Sequence, residues 1–263
     1  MSDVSYARAQ THLARLKLPQ MAECLEGLAQ EAAKHDWTYL EFLDQLLDRE
    51  VSARYERDVA MKTKLAHFPF VKTLEQFDFV FQPSINERQV RELATLSFIG
   101  NGENILLLGP PGVGKTHLAI GLGVAAIQQA ISVYFTSIVD LLEQLHRDAK
   151  EDRLDHRLQT LCRPKLLILD EMGYFPLDRM AAQFLFQLVS RRYGRGSIIL
   201  TSNKSYGEWG DIFADQVLAA AILDRLLHFS TTLNIRGQSY RLREKRKAGV
   251  FTEFHQVAVV VIG

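Results

Sequence analysis

The chain has 263 residues, of which 47% are hydrophobic and 24% are charged, and its formal net charge is zero. This composition is typical of a globular protein with one large core and room for a smaller domain. The balanced charge excludes a strongly basic protein, so any DNA-binding surface has to be a local patch. The two cysteines, Cys24 and Cys162, provide neither a disulfide framework nor a metal-ligand spacing, which favours a cytoplasmic location.

The first 67 residues predict a small all-helical domain. Apolar residues recur at helical spacing on both sides of Pro19, which predicts two helices with a break between them. Thr38 and Glu41 fit a capping box at the start of a long third helix. One apolar stripe on that helix is expected to pack on another surface, and it consists of Leu40, Leu43, Leu47, Val51 and Tyr55.

From residue 100 onward, short apolar runs alternate with helical stretches. The runs cover residues 105–108, 133–136, 166–169 and 198–201, and helices are predicted at 117–130, 139–145 and 181–193. Apolar runs of this length are typical of strands that are buried on both faces. Strands that alternate with helices predict an α/β fold with a parallel sheet and right-handed crossovers.

Residues 109–116 read GPPGVGKT and fit the phosphate-binding pattern G-x-x-x-x-G-K-[ST]. A strand is predicted before this loop and a helix after it, so backbone N–H groups and the positive end of the helix face the same anion. Lys115 is expected to contact the β- and γ-phosphates of ATP, and the Thr116 hydroxyl is expected to be a ligand of Mg²⁺. The predicted nucleotide-binding residues are Gly109, Pro110, Pro111, Gly112, Val113, Gly114, Lys115, Thr116 and His117.

Two later motifs predict nucleotide hydrolysis. Asp170 and Glu171 end an apolar run, where Asp170 is suited to hold Mg²⁺ and Glu171 to activate the attacking water. Asn203 follows the next run, and the carboxyl ends of parallel strands line one crevice, so Asn203 is a candidate for orienting that water. The alternatives are a helix N-cap for Asp170 and an ordinary turn residue for Asn203.

Together these motifs resemble those of AAA+ ATPases, and more narrowly those of IstB-type transposition helper ATPases and the related DnaC-like helicase loaders. The resemblance covers residues 1–247 and implies an AAA+ P-loop fold with a parallel five-stranded sheet flanked by helices. It rests on GPPGVGKTHLA at 109–119, LLILDEMGYFPLD at 166–178, RYGRGSIILTSNKSYGEWGDIF at 192–213, ILDRLLH at 222–228 and IRGQSYRLR at 235–243.

The resemblance also implies roles for two arginines. Arg225 matches the arginine finger, which reaches the nucleotide of a neighbouring subunit and offsets the charge on the transferring phosphoryl group. Arg241 matches the second sensor, which contacts the γ-phosphate within its own subunit. From the sequence alone, the alternatives are a surface ion pair of Arg225 with Asp224 or Asp215 and a basic tail that includes Arg241.

The expected organisation has four parts. Residues 1–67 form a helical DNA- or partner-binding domain, and residues 68–98 form the linker and the start of the ATPase domain. Residues 99–248 form the AAA+ ATPase domain, and residues 249–263 form a C-terminal tail. The apolar run at 257–262 predicts an extra strand or a tail, and it is too short to span a bilayer, so no membrane partner is expected.

Two basic clusters of the first domain are candidates for DNA phosphate contacts. One cluster lies on a single helix face and contains Arg8, His12 and Arg15; the other is at the end of the third helix and contains Arg54, Arg57, Lys62 and Lys64. On charge alone, solvated helix surface is the alternative for both. The resemblance implies duplex DNA bound without strong sequence preference, a transposase partner and ATP-dependent self-association.

Three functions are compatible with these motifs. The first is an ATP-dependent DNA-binding ATPase that marks or remodels target DNA in transposition and recruits or stimulates a transposase. The second is a replicative helicase loader, which shares the same ATPase core, so only the N-terminal domain separates the two. The third, a small-molecule kinase, is disfavoured because Asp170, Glu171 and Asn203 point to hydrolysis and no motif for a phosphate-acceptor pocket is present.

Overall fold

The computed structural model describes residues 3–213 and 215–247. The chain divides into two compact units, Met1–Lys62 and Thr63–Gly263. The division falls inside the third helix, and each unit is described by itself. The tail predicted at 249–263, including the apolar run at 257–262, lies outside the described residues.

The first unit consists of helices, as predicted. They are α1 (Asp3–Arg15), α2 (Pro19–Lys34) and α3 (Tyr39–Leu65), the last of which continues into the second unit. Pro19 occupies the first turn of α2, where its missing N–H costs no helical hydrogen bond. The small core of the unit contains Met21, Leu25, Leu28 and Leu46, which are all buried.

The capping box predicted at the start of α3 is confirmed. The Glu41 carboxylate accepts the backbone N–H of Thr38 at 2.7 Å, and the Thr38 hydroxyl accepts the backbone N–H of Glu41 at 3.3 Å. These reciprocal bonds satisfy backbone donors that the first turn of a helix leaves unpaired. The pattern of residues 38–41 therefore predicts the start of α3 correctly.

The face that α3 buries differs from the prediction. The stripe expected to pack is exposed, from 46% for Leu43 and Leu47 to 77% for Leu40. The buried residues of α3 are Leu46 and Glu50, which are offset around the helix from that stripe. Glu50 accepts the backbone N–H groups of Gln20 at 2.9 Å and Met21 at 3.2 Å, so a buried carboxylate caps the positive end of α2.

The second unit is built on a parallel sheet of five strands in the order β2-β3-β4-β1-β5. The strands are β1 (Asn104–Leu108), β2 (Val133–Ser137), β3 (Leu166–Met172), β4 (Ser197–Ser202) and β5 (Ser230–Asn234). The side chains of β1 are all buried, because helices cover both faces of the sheet. The predicted fold class, a parallel five-stranded sheet with a helical segment before it, is confirmed.

Nine α-helices of the described part of the second unit surround the sheet. They are α4 (Glu87–Leu93), α5 (Ser97–Asn101), α6 (Lys115–Gln128), α7 (Ile138–Lys150), α8 (Leu154–Leu161), α9 (Arg179–Arg192), α10 (Trp209–Ile212), α11 (Gln216–Leu227) and α12 (Tyr240–Lys247). Alternate residues such as Leu167 and Leu169 share one core with α7, α8, α9 and α11. Ile168, which points to the other face, lies next to Gly123 of α6. Among the described residues, no helix has both the length and the apolar character that crossing a membrane requires.

Arg192, at the end of α9, is 1% exposed and fastens a turn to the sheet. Its guanidinium donates to the carbonyls of Leu161 at 2.9 Å, Pro164 at 3.0 Å, Lys165 at 3.1 Å and Ser197 at 2.8 Å. Burial lowers the pKa of Arg192 to about 10, so the cation depends on these carbonyl oxygens for stabilisation. The contacts join the turn that precedes β3 to the start of β4.

We predict that Arg192→Met lowers the free energy of unfolding by about 2–4 kcal/mol, because four carbonyls lose a hydrogen bond from the buried guanidinium. Arg191→Met is the matched control, since Arg191 forms an ion pair with Asp155 in which both side chains are substantially exposed. That change is expected to cost less than about 1 kcal/mol. Urea unfolding of both variants measures the difference, and equal losses would contradict the role given to Arg192.

Candidate nucleotide-binding site

The loop of residues 109–116 connects β1 to α6, as predicted. Gly112 and Gly114 have φ angles of 80° and 99°, a backbone conformation that favours glycine. A Cβ at Gly112 would lie 2.1 Å from the hydroxyl oxygen of Ser239, and one at Gly114 would lie 2.5 Å from the ring of Phe77. The loop is therefore held closely between the segment before α12 and the segment before α4.

Lys115 is the first residue of α6 and is 7% exposed. Its Nζ donates to the carbonyls of Gly109 at 2.6 Å and Pro110 at 2.8 Å, which holds the ammonium inside the loop. Burial lowers the pKa of Lys115 to about 8, and the charge of Asp170 acts in the opposite direction. A partly desolvated ammonium at the start of a helix favours an anionic partner such as a phosphate group.

Asp170 lies on β3 and is 5% exposed. The Thr116 hydroxyl donates to its two carboxylate oxygens at 3.0 and 3.1 Å, and the Thr201 hydroxyl donates to Oδ1 at 2.5 Å. The carboxylate is thus fixed beside the hydroxyl that ends the phosphate loop. A carboxylate and a hydroxyl are oxygen ligands of the kind that Mg²⁺ prefers, so these residues fit the predicted ion.

Glu171 is exposed and has a φ angle of 65°, which is unusual for a residue with a side chain. Its backbone N–H donates to the Thr201 hydroxyl at 3.0 Å. A residue held in this backbone region costs about 1–3 kcal/mol, and such residues cluster at functional sites. The Glu171 side chain borders the same cleft as Lys115 and Thr116.

Asn203 follows β4 and is half-buried, with its Oδ1 close to Gly173. That Oδ1 is buried and has no hydrogen-bond partner among the described residues. Thr201, two residues earlier, borders the cleft and contacts both Asp170 and Glu171. Thr201 is not among the site residues that the sequence motifs predict. Alternate residues of a strand point to the same side, so Thr201 is related to Asn203 by the period of two along β4.

The cleft has a volume of about 270 Å³ and continues from the phosphate loop to an aromatic surface. Phe77, Phe81 and Tyr240 line it, and the rings of Phe81 and Tyr240 meet edge to face with centroids 5.3 Å apart. Such rings are suited to hold a nucleotide base. The sequence predicts residues 68–98 only as a linker and the start of the ATPase domain, because no local pattern marks the phenylalanines that the fold brings to this cleft.

His117 and Gln82 attach this segment to the phosphate loop. His117 Nε2 donates to the Thr73 carbonyl at 2.8 Å, and Gln82 Nε2 donates to the Val113 carbonyl at 3.2 Å. Burial lowers the pKa of His117, which favours the neutral form of the ring. His117 thus contacts a neighbouring segment of the chain, and its contact with the nucleotide stays a prediction.

Arg241 borders the cleft from α12. Tyr240, the first residue of α12, donates its backbone N–H to the Gly112 carbonyl at 2.9 Å. The guanidinium carbon of Arg243 lies 4.4 Å from the centroid of the Phe81 ring, and Arg243 Nη1 lies 3.7 Å from the Asp78 carboxylate. The helix is therefore anchored on both sides of Arg241, beside the phosphate loop.

Arg225 lies far from this cleft. It borders a small recess with Asn104 and Ile198, which belong to the amino ends of β1 and β4. Its guanidinium carbon is 4.6 Å from the centroid of the Phe186 ring. The phosphate loop follows the carboxyl end of β1, so the length of the strand, about 15 Å, separates Arg225 from Lys115. The fold brings the other predicted residues to one edge of the sheet and leaves Arg225 at the opposite edge.

We predict that Gly114→Ala weakens ATP binding at least about tenfold, because alanine is strained at this φ angle and its Cβ meets Phe77. Titration with a fluorescent ATP analogue measures the affinity. Gly100→Ala is the matched control, since a Cβ at Gly100 has nothing within 4 Å, and it should bind ATP as the unmodified chain does. Equal affinities of the two variants would contradict the tight fit of this loop.

Comparisons with solved structures agree on the fold. AMPPCP-bound DnaA from Aquifex aeolicus superimposes with a TM-score of 0.51 at 22% identity, over 70% of this chain and 57% of that chain. A DnaI structure gives a TM-score of 0.51 at 19% identity, over 64% of this chain and 89% of that chain. These likenesses identify the AAA+ P-loop fold.

The sequence has much closer relatives than these structures. An ATP-binding protein of insertion sequence IS21 from Pseudomonas aeruginosa is 53% identical over 92% of this chain and 91% of its own length. An ATP-binding protein of insertion sequence IS5376 from Geobacillus stearothermophilus is 51% identical over 91% of this chain and 95% of its own length. The pattern of the IstB-like ATP binding protein family matches residues 11–248. The chain therefore belongs to the IstB-like family of ATP-binding proteins.

Proposed function

We propose that the chain is a Mg²⁺-dependent ATPase that assembles on duplex DNA and recruits or stimulates a transposase. The observation that carries the hydrolysis is the arrangement at the end of β3. There Asp170 is fixed beside Thr116, and the carboxylate of Glu171 borders the cleft that holds Lys115. A cation, a metal-binding carboxylate and an exposed second carboxylate are the parts that phosphoryl transfer to water requires.

The proposed reaction assigns a separate task to each of these residues. Lys115 and the backbone N–H groups of the loop bind the phosphates of ATP, and Glu171 accepts a proton from the attacking water. Thr116 and Asp170 would hold Mg²⁺, which would offset the negative charge of the phosphates. The Thr201 hydroxyl keeps the Asp170 carboxylate and the Glu171 backbone in fixed positions.

Two further residues are proposed to act from the same chain. Arg241 contacts the γ-phosphate, and its position on the rim of the cleft beside the loop supports this role. Asn203 orients the attacking water through its side-chain amide. Its buried Oδ1 has no hydrogen-bond partner among the described residues, which supports a polar partner such as the attacking water. Thr201, not Asn203, is the residue of this pair that contacts the Asp170 carboxylate.

Arg225 is proposed to act on the nucleotide of a second copy of the chain. Its place at the amino edge of the sheet supports this, because the strand length separates it from the phosphate loop of its own chain. A guanidinium offsets the charge that develops on the transferring phosphoryl group. ATP then stabilises the assembled state to the extent that it binds the assembled state more tightly than it binds the single chain.

The names of the relatives support the transposition context. The proteins at 53% and 51% identity are named as ATP-binding proteins of insertion sequences. An insertion sequence is a mobile DNA element, so these names favour the transposition helper over the helicase loader. We place the protein in the cytoplasm, in keeping with this function.

The two candidate DNA-binding clusters differ in their surroundings. Arg54 and Lys62 form ion pairs with Glu50 and Asp58, so part of their charge is already offset. The side chains of Arg8, His12 and Arg15 are exposed and form no ion pair with the side chains that the structure describes. This difference favours the α1 face as the surface that contacts DNA phosphates.

We predict that Glu171→Gln retains ATP binding and lowers steady-state ATP turnover at least about 100-fold, because the amide cannot accept the proton of the attacking water. The release of phosphate measures ATP turnover, and titration with a fluorescent ATP analogue measures ATP binding. Glu92→Gln, on the exposed face of α4, is the control and should behave as the unmodified chain. Unchanged turnover in Glu171→Gln would remove Glu171 as the base.

We predict that Arg225→Ala lowers ATP turnover about 10³-fold and that mixing it with Lys115→Ala protein restores part of the activity. In mixed assemblies, the intact Arg225 of one copy reaches the intact phosphate loop of the other. The control is Arg225→Ala mixed with the double variant Lys115→Ala/Arg225→Ala, which supplies no arginine. A mixture that is no more active than its separate components would rule out a finger supplied by a second copy.

We predict that binding to duplex DNA requires ATP, depends little on sequence and weakens steeply with salt. The double variant Arg8→Gln/Arg15→Gln should lower the slope of log affinity against log salt concentration by about 0.9 for each phosphate that the protein no longer neutralises. Arg88→Gln, an exposed arginine of α4, is the control. Fluorescence anisotropy at several salt concentrations measures this slope. If the substitutions in α1 leave the slope unchanged, the DNA contacts lie elsewhere on the protein.

A further inference from the structure

An exposed aromatic patch borders Arg225 at the amino edge of the sheet. It consists of Tyr193, His228 and Phe229, and we call it the donor patch. Tyr193 and Phe229 line the same small recess as Arg225 and are 39% and 52% exposed. The Tyr193 and His228 rings stack with an interplanar angle of 8°, and the His228 and Phe229 centroids are 4.1 Å apart. The three rings therefore present a preformed apolar surface to solvent.

The backbone under this patch is fixed. The Phe229 carbonyl accepts the N–H of Asn104 at 2.8 Å, which ties it to the start of β1. The Tyr193 hydroxyl also forms a hydrogen bond with His228 Nδ1. A rigid aromatic surface loses little conformational entropy on binding, which is typical of residues that dominate protein interfaces.

A mainly apolar groove of about 300 Å³ lies beside Glu171 at the opposite edge of the sheet. We call it the acceptor groove; α7 contributes Val139 and Leu142, and the segment after β3 contributes Phe175 and Leu177. Phe175 is 65% exposed and Val139 is 37% exposed. The groove is thus an open apolar surface next to the proposed catalytic base, and the nucleotide chemistry itself does not require it.

We propose that the donor patch of one copy docks in the acceptor groove of a second copy and so aligns Arg225 with that copy's nucleotide. The inference rests on the proposed function, because it assumes that Arg225 acts on a neighbouring copy. Each surface directly adjoins one half of the site that such an assembly completes: the patch adjoins Arg225, and the groove adjoins Glu171. Contact between them aligns the two halves.

Charge complementarity favours this pairing. Arg195, two residues after Tyr193, is exposed and forms no ion pair with the described residues, and Arg225 borders the same recess as the donor patch. The acceptor groove is bordered by the acids Glu143, Glu171 and Asp178. A basic rim around an aromatic centre therefore faces an acidic rim around an apolar groove, which favours a second copy of this chain over an unrelated apolar partner.

The test uses the full chain with Mg²⁺ and a non-hydrolysable ATP analogue. Sedimentation velocity measures the protein concentration at which half of the chains are assembled. Phe229→Ser removes the centre of the donor patch, and Val139→Glu places a charge in the acceptor groove. Each variant alone should need at least about tenfold more protein to assemble, because aromatic centres of interfaces contribute this much when truncated. Val80→Ser, which changes an apolar side chain that is 93% exposed elsewhere, should assemble as the unmodified chain does.

An equimolar mixture of Phe229→Ser and Val139→Glu proteins supplies the decisive outcome. In a mixed pair, the intact patch of the Val139→Glu copy meets the intact groove of the Phe229→Ser copy, so mixed pairs should form at a protein concentration at which neither variant associates alone. The recovery also demonstrates that both variants are folded. A mixture that assembles no better than its components, or a Phe229→Ser protein that assembles as the unmodified chain does, would overturn the proposal.

Arg225→Ala separates this inference from the proposed function. The variant keeps the donor patch, so it should assemble at a lower protein concentration than Phe229→Ser does, while its ATP turnover falls about 10³-fold. If Arg225→Ala retains full turnover, the finger is wrong and the proposed function fails, whatever the docking experiment gives. If turnover is abolished but Phe229→Ser assembles normally, the finger stands and only the docking surface is wrong.

Discussion

The position of the Asp170 carboxylate is the constraint on which the rest of the site depends. Two hydroxyls hold it, one from Thr116 at the end of the phosphate loop and one from Thr201 on β4. The three residues come from separate segments of the chain. They meet because β1, β3 and β4 are parallel, so the carboxyl ends of these strands lie at one edge of the sheet. The apolar strands therefore serve the site indirectly, because their burial fixes where these polar side chains meet.

The same arrangement explains why one chain holds only part of the proposed catalytic machinery. Lys115, Glu171 and Arg241 all border the cleft at the carboxyl edge of the sheet. Arg225 belongs to α11, which returns the chain to the amino edge before β5 begins. A parallel sheet requires each crossover to return in this way, so a residue at the end of a crossover helix lies away from the nucleotide of its own chain. Under the proposed function, assembly is the means by which Arg225 contributes to hydrolysis.

The sequence predicted those features that depend on local pattern. The phosphate loop, the apolar strands and the cap formed by Thr38 and Glu41 each follow from residues that are close along the chain. Contacts between distant segments were not predictable: Phe77 reaches the phosphate loop, and Thr201 reaches Asp170, only through the fold. The prediction of the buried face of α3 is wrong, because the most apolar stripe of this helix is exposed. A charged residue, Glu50, is buried instead, where it caps the start of α2. The roles given to Asn203, Arg225 and Arg241 remain predictions.

The central claim is that the ATPase site is complete only between two copies of the chain. The most direct test is the specific ATP turnover per chain, measured with saturating Mg²⁺ and ATP over a wide range of protein concentrations. The account predicts that turnover per chain is low in dilute solution, rises with protein concentration as copies associate, and then reaches a plateau. Turnover per chain that is the same at every protein concentration, down to concentrations at which sedimentation detects only single chains, would contradict it.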